Sequence, residues 1–205
     1  MLDFMALLWP INRSITGDGL RETLRLIQQH CLPDLQLHEY PSGSKSLDWI
    51  IPDEWDVKDA WLENPDGERF AEFTKNNLHI VGYSEAVDIT LTLDELQSHL
   101  FSLPEQPDAI PYVTSYYKRQ WGFCISENER QQLKPGTYRA VIQARHFKGS
   151  LTLADWVLPG EVEDEVLVST YCCHPSMANN ELSGPVVAAF LARWIAQLPN
   201  RHYTY

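Results

Sequence analysis

The feature of the sequence that most restricts the fold is the apolar run EVLVSTYCC at residues 165–173, which a polar loop and a second apolar segment follow. A run without polar alternation is typical of a strand that is buried on both faces, as in a parallel sheet. The second segment, PVVAAFLARWIAQL, predicts a helix with Pro185 in its first turn. Its apolar positions at helical spacing are Val187, Phe190, Leu191 and Ile195. A strand, a loop and a helix in this order predict an α/β fold.

The N-terminal part of the chain predicts a helix followed by a strand. Either Ser14 or Thr16 is suited to cap a helix that runs to His30, because leucine and isoleucine recur at helical spacing between them. Residues 35–40 alternate between apolar and polar side chains, which predicts a strand. This segment would belong to the same α/β domain as the strand and helix near the C-terminus.

The middle of the chain is predicted to be a β-rich domain of its own. Short β-like runs alternate with turn signals, among which NPDG at 64–67 indicates a tight hairpin. Residues 137–147 and 150–158 are predicted to pair as a second hairpin across Lys148 and Gly149, and Ser126 with Glu129 predicts a capping box. The predicted division is an α/β domain over residues 1–47 and 161–205, interrupted by an inserted β-rich domain over residues 48–160.

Composition excludes several classes of function. Apolar residues make up 44% of the 205 residues and charged residues 21%, which is typical of a globular protein. The formal net charge of −12 argues against nucleic acid or an anionic membrane as the partner. Four cysteines without a CxxC pair indicate free thiols, and no basic leader or long apolar stretch is present. We therefore expect a cytoplasmic protein without a membrane anchor.

The loop between the predicted strand and the last helix is the candidate site. Ligands bind at the carboxyl ends of strands in open α/β sheets, and His174 leaves the strand at that end, while Asn180 and Glu181 precede the helix. An imidazole and a carboxylate from one loop can converge on a cation. Since neighbours on a strand point to opposite faces, Cys173 and His174 are not expected to meet, and we interpret Cys172 and Cys173 as core residues.

Long motifs in the chain resemble a known family. The segment ANNELSG (178–184) resembles the Ala-Asn-Asp-Asn-x-Ser-Gly loop of the di-zinc aminopeptidases, and the whole chain resembles the aminopeptidase-like proteins that are named with bacterial polysaccharide biosynthesis. The motifs that carry this second resemblance are SITGDG (14–19), DWIIPDEW (48–55), LPEQPDAIPYVTSYY (103–117) and CCHPSMANNELSG (172–184). The resemblance implies a partial zinc-aminopeptidase-like (phosphorylase/hydrolase-like) domain interrupted by a β-rich domain of unknown function.

The resemblance also implies a zinc site with one or two ions, which acts on a peptide or an amino-acid amide. Asn180 stands where ordinary aminopeptidases have the aspartate that bridges two zinc ions, and Glu181 stands where they have an asparagine. A neutral amide bridges two dications poorly, so His174 and Glu181 are the expected metal ligands and Asn180 is a metal or substrate contact. A site with one ion or with none remains an alternative.

The remaining ligands and the general-base glutamate of the family lie beyond the position of residue 205. We therefore expect this chain to be an N-terminal fragment that is inactive alone, since a catalytic zinc needs about three protein ligands. Two functions follow from the sequence: a zinc-dependent aminopeptidase-like metallohydrolase, or a catalytically degenerate binding or scaffold protein in a surface-polysaccharide pathway. The sequence leaves open whether the protein forms a homo-oligomer.

Overall fold

The structure, a computed structural model, describes residues 1–205 and divides into two compact units. The first unit contains Met1–Glu54 and Lys148–Tyr205, and the second contains Trp55–Phe147. In sequence, the second unit thus lies between the two segments of the first. The division into domains at residues 48 and 160 stays a prediction.

Both units contain helices and strands, which confirms the mixed α/β class. In chain order the α-helices are α1 (Leu2–Leu8), α2 (Asp18–His30), α3 (Leu93–Leu96), α4 (Glu127–Gln131) and α5 (Ser183–Ala196). The strands are β1 (Gln36–Pro41), β2 (Lys45–Ser46), β3 (Trp49–Ile50), β4 (Glu54–Glu63), β5 (Arg69–Phe70), β6 (Val87–Thr92), β7 (Leu100–Phe101), β8 (Phe123–Cys124), β9 (Thr137–Phe147) and β10 (Ser150–Asp155). None of the helices is long and apolar enough to cross a membrane.

The core of the first unit is formed by α1, α2 and α5 together with the segment that ends α2. Its buried residues are Phe4, Leu8, Ile27, Cys31, Leu32, Leu35, Leu182, Val186 and Ala189. The predicted helix α5 is confirmed, but the predicted buried face is wrong in part, because Val187 is 51% exposed and Leu191 is 37% exposed. The segment is apolar on nearly every side, so its periodicity did not identify the face that packs.

The predicted helix over the N-terminal region is confirmed, but its predicted caps are wrong. Gly17 is the N-cap of α2, and no side chain caps the helix. Ser14 Oγ instead donates to the carbonyl oxygen of Thr16 (2.6 Å). The chain enters the helix through a close approach, since a Cβ on Gly19 would lie 2.0 Å from the carbonyl oxygen of Asn12. Glycine at this position is therefore a steric requirement.

The predicted strand at 35–40 is confirmed as β1, which pairs antiparallel with β10 from Gln36↔Asp155 to Pro41↔Ser150. The predicted hairpin between β9 and β10 is therefore wrong. A Cβ on Gly149 would lie 2.3 Å from Glu54 Oε1, and Ser150 N donates to the same oxygen (2.7 Å). The chain is directed towards the Glu54 carboxylate at this point, where a tight two-residue turn would have sent it back along β9.

The second unit contains a four-stranded sheet with the order β5-β4-β9-β6. The hairpin at NPDG is confirmed, since Leu62 pairs with Phe70 and Glu63 with Arg69 on either side of it. β6 pairs antiparallel with β9 along its whole length. The predicted capping box is also confirmed, because Ser126 Oγ accepts from the Glu129 amide and the Glu129 carboxylate accepts from the Ser126 amide.

The predicted buried strand at 165–173 is wrong. Glu165 forms an isolated parallel bridge with Thr204, and residues 166–173 form no strand. The apolar side chains of this run are largely exposed, with Leu167 88% and Tyr171 59% exposed. An apolar run becomes a buried parallel strand only where strands pair on both sides of it, and here the pairing ends after Val166, whose amide donates to the carbonyl oxygen of Thr204 (2.8 Å).

Candidate metal centre

Long-range hydrogen bonds hold the loop that precedes α5 against the N-terminal segment. Arg13 donates from Nε to the carbonyl oxygen of His174 (2.9 Å) and from Nη1 to the carbonyl oxygen of Leu8 (2.7 Å). Ser176 Oγ donates to the carbonyl oxygen of Trp9 (3.1 Å). The residues that follow α1 therefore support the loop at His174 and again two residues later.

The structure brings together His174 and Glu181, the two residues that the sequence predicts as metal ligands. His174 Nδ1 lies 2.9 Å from Glu181 Oε1. The Glu181 side chain is completely buried, and the His174 side chain is 18% exposed. The imidazole therefore lies between a buried carboxylate and the surface of the unit.

The backbone of the short turn Ala178–Leu182 decides which side chains face inward. Glu181 has a left-handed backbone conformation (φ 93°, ψ −44°), whereas Asn180 is extended (φ −84°, ψ 123°). Their side chains diverge as a result: Glu181 is buried, and Asn180 is exposed with its Oδ1 accepting from the Tyr171 hydroxyl (3.0 Å). The structure thus places Asn180 outside the cluster formed by His174 and Glu181.

Cys173 completes the cluster, and sequence reasoning missed it. Cys173, His174 and Glu181 each offer one ligand atom, and these atoms all lie within 4.8 Å of one another. The expectation that Cys173 and His174 do not meet is wrong, because it assumed strand alternation and residues 172–174 are not in a strand. The interpretation of the thiols as core residues holds for Cys172, which is buried, and not for the half-buried Cys173.

The local electrostatics keep Cys173 a thiol in the metal-free protein. Burial and the negative charge of Glu181 together raise the pKa of Cys173 to about 12. Burial also raises the pKa of Cys172 to about 12, although the positive charge of Arg13 partly opposes this. A bound cation would favour the thiolate of Cys173, since coordination requires the deprotonated form.

Arg13 is a second residue that sequence reasoning missed. It is 1% exposed, and burial lowers the pKa of its guanidinium, while the negative charge of Glu181 acts in the opposite direction. The charge of the Glu181 carboxylate is therefore partly balanced by a fixed cation from the N-terminal segment. The signal in the sequence is an arginine next to the SITGDG motif, and nothing in the sequence relates it to a loop 161 residues later.

The chemistry of this donor set fits a zinc ion. Thiolate, imidazole and carboxylate are the ligand types that zinc takes in proteins, and they lie here on one short loop. The residues described offer at most three donors at this point, which leaves room for a water or a substrate atom on a tetrahedral ion. A site of this kind could bind an ion, polarise a carbonyl group or orient a water molecule.

Comparison with known proteins identifies relatives over nearly the whole chain. A family model described as a domain of unknown function (DUF4910) matches residues 2–205. A protein of Clostridium acetobutylicum, named for polysaccharide biosynthesis and for an aminopeptidase-like domain, is 45% identical over 198 residues, which are 97% of this chain. A 2.37 Å crystal structure of a protein from the same species, named there as a peptidase, superposes with a TM-score of 0.93 at 43% identity over 99% of this chain.

The chain spans about half the length of these relatives, namely 45% of the curated protein and 47% of the crystallised chain. An aminopeptidase from Aneurinibacillus sp. strain AM-1 is more distant, with 13% identity and a TM-score of 0.44 over 96% of this chain and 58% of that one. That similarity lies below the level that establishes a shared fold. The agreement with the crystallised relative establishes a peptidase-like fold for the residues described.

Proposed function

This chain belongs to the family defined by the domain of unknown function DUF4910, and from that premise we propose that it is part of a zinc-dependent aminopeptidase-like metallohydrolase that cleaves peptide or amide bonds. The observation that carries the proposal is the convergence of Cys173, His174 and Glu181 within 4.8 Å. The names of the relatives, which refer to a peptidase and to an aminopeptidase-like domain, support the reaction class.

His174 and Glu181 are the residues that hold the zinc site together. When bound, zinc would polarise the scissile carbonyl and lower the pKa of a water molecule. Glu181 supplies negative charge from a completely buried side chain, and Arg13 fixes the main chain at His174 through the carbonyl oxygen. The contribution of this chain is thus a rigid imidazole and carboxylate at the edge of the site, since preorganised groups need no rearrangement when substrate binds.

Activity measurements on the natural full-length polypeptide test this function. A panel of amino-acid amides and short peptides should be hydrolysed, turnover should stop when a chelator removes the metal, and added zinc should restore it. His174→Ala should abolish turnover, while His38→Ala should not, because His38 is an exposed histidine beside Asp155 on the β1–β10 pair. Turnover that survives the chelator and the His174→Ala change would contradict the proposal.

A second function has an observation in its favour. The carboxylate of Glu181 already accepts hydrogen bonds from the amides of Cys173 and His174 without any ion, and Asn180 is turned away from the cluster. These contacts are what a degenerate site would show in a binding or scaffold protein, and one relative is named for polysaccharide biosynthesis. Under this alternative, the full-length protein hydrolyses none of the amides at any zinc concentration.

A further inference from the structure

The carboxylate of Glu181 is engaged on both of its oxygens by groups of this chain. Oε2 accepts from the backbone amide of Cys173 and from that of His174 (2.8 Å). Oε1 lies 2.9 Å from His174 Nδ1 and 3.7 Å from the Cys173 sulfur. A carboxylate that is satisfied in this way and completely buried has few lone-pair directions left for an ion.

The backbone at Glu181 shows that these contacts determine its position. A non-glycine residue at φ 93° and ψ −44° is strained, and such strain costs about 1–3 kcal/mol. Strain of this kind persists only where the surroundings determine the conformation. Here the determining contacts are hydrogen bonds from the main chain at 173 and 174, and they form without a metal.

The contact with Glu181 also decides the tautomer of His174. An ionised carboxylate only accepts hydrogen bonds, so the imidazole nitrogen that faces it must carry the hydrogen. Nδ1 is that nitrogen, and in the neutral ring the lone pair then resides on Nε2. Histidines that bind metals commonly donate their other ring N–H to a carboxylate, which fixes the tautomer and makes the ring a better ligand.

We propose that Glu181 is a positioning residue, which holds His174 Nδ1–H so that the ring coordinates the ion through Nε2. This inference rests on the zinc site of the proposed function, which needs both residues but does not need both as ligands. Glu181 determines the tautomer and orientation of the ring, and its charge acts on the ion through the imidazole. His174 is then the ligand that this pair contributes.

The test is a measurement of the His174 tautomer in the metal-free protein. Long-range proton–nitrogen correlation spectra of the full-length protein labelled with ¹⁵N-histidine are recorded at about pH 8, where an ordinary imidazole is neutral. The wild-type spectrum should show His174 protonated at Nδ1 only. Glu181→Gln should abolish this single tautomer, whereas Glu161→Gln should not, because Glu161 lies 3.6 Å from Nδ1 of the exposed His202.

A zinc titration of the same samples completes the test. Zinc should shift the Nε2 resonance of His174, and Glu181→Gln should weaken zinc binding by about 10- to 100-fold, as expected for an orienting partner of a metal ligand. A wild-type His174 protonated at Nε2, or a zinc-induced shift at Nδ1, would overturn the inference. These readings need only the wild-type protein, so they remain decisive if Glu181→Gln does not fold.

The same spectra separate this inference from the proposed function. If His174 is protonated at Nδ1 but zinc shifts neither ring nitrogen, the geometry around Glu181 is as inferred and the zinc site itself is overturned. If zinc shifts Nδ1, the zinc site stands and the positioning role of Glu181 is overturned.

Discussion

Arg13 donates a hydrogen bond from Nε to the carbonyl oxygen of His174, 2.9 Å away and 161 residues later in the sequence. The guanidinium is buried and also donates to the carbonyl oxygen of Leu8. A buried charge needs compensation, and here it is provided by two carbonyl dipoles and by the negative charge of Glu181. The N-terminal segment is therefore a structural component of the candidate metal centre.

Replacing Arg13 should destabilise the first unit and loosen the loop. Arg13→Ala removes two charge-assisted hydrogen bonds and leaves a cavity, so we expect the free energy of unfolding to fall by about 3 kcal/mol in urea titrations. Hydrogen exchange at the amides of Cys173 and His174, which donate to Glu181, should become faster. Arg25→Ala is the control, since Arg25 is an exposed residue of α2. Equal effects of the two substitutions would contradict the structural role of Arg13.

The ion pair of Arg21 and Glu54 should make stability depend on acidic pH. Burial alone would raise the pKa of Glu54, but hydrogen bonds from Arg21 and from the Ser150 amide outweigh burial and lower this pKa below its usual value of 4.5. A lowered pKa in the folded state means that the stabilisation is complete above pH 4.5 and is lost as the pH falls through the folded value. The wild-type free energy of unfolding should therefore decrease in acid.

Glu54→Gln isolates this contribution. The Glu54 side chain is only 4% exposed and that of Arg21 13%, so the loss of one partner should cost about 3 kcal/mol at neutral pH. The difference from wild type should shrink as the pH falls below 4.5. The matched control is Asp88→Asn, because Asp88 pairs with Arg139 through two similar hydrogen bonds on an exposed surface and should affect stability little. A constant difference between wild type and Glu54→Gln across the acidic range would show that the pair does not titrate as described.

Neighbouring valines in α5 provide a test of how this helix packs. Val186 is completely buried in the core of the first unit, and Val187 is 51% exposed. We expect Val186→Ala to lower the free energy of unfolding by about 2 kcal/mol and Val187→Ala by about 0.5 kcal/mol or less. The two substitutions remove the same atoms from adjacent positions of one helix, so a larger effect at Val187 would mean that α5 packs through its other face.

Much of the local structure was predictable, because it depends on neighbours in sequence. The helix over 18–30, the strand β1, the NPDG hairpin and the capping box at Ser126 all follow from spacing and from turn chemistry within a few residues. The wrong predictions depend on distant partners. The pairing of β10 with β1 is set at Glu54 and Gly149, and the apolar run at 165–173 would need neighbouring strands on both sides.

The candidate site shows the same limit. His174 and Glu181 could be predicted as a pair because seven residues of one loop separate them, and a histidine near a carboxylate is a recognisable pattern. The roles of Cys173 and Arg13 could not be predicted. The first depends on a backbone that leaves the extended conformation before His174, and the second depends on contact with a distant segment.

Zinc binding tests the central claim most directly. The natural full-length polypeptide is stripped of metal, dialysed against zinc and analysed for metal content alongside His174→Ala and the control His38→Ala. We predict that the wild type and His38→Ala retain zinc and that His174→Ala loses it, because the imidazole beside Glu181 holds the ion. Equal zinc content in His174→Ala and the wild type would contradict this account.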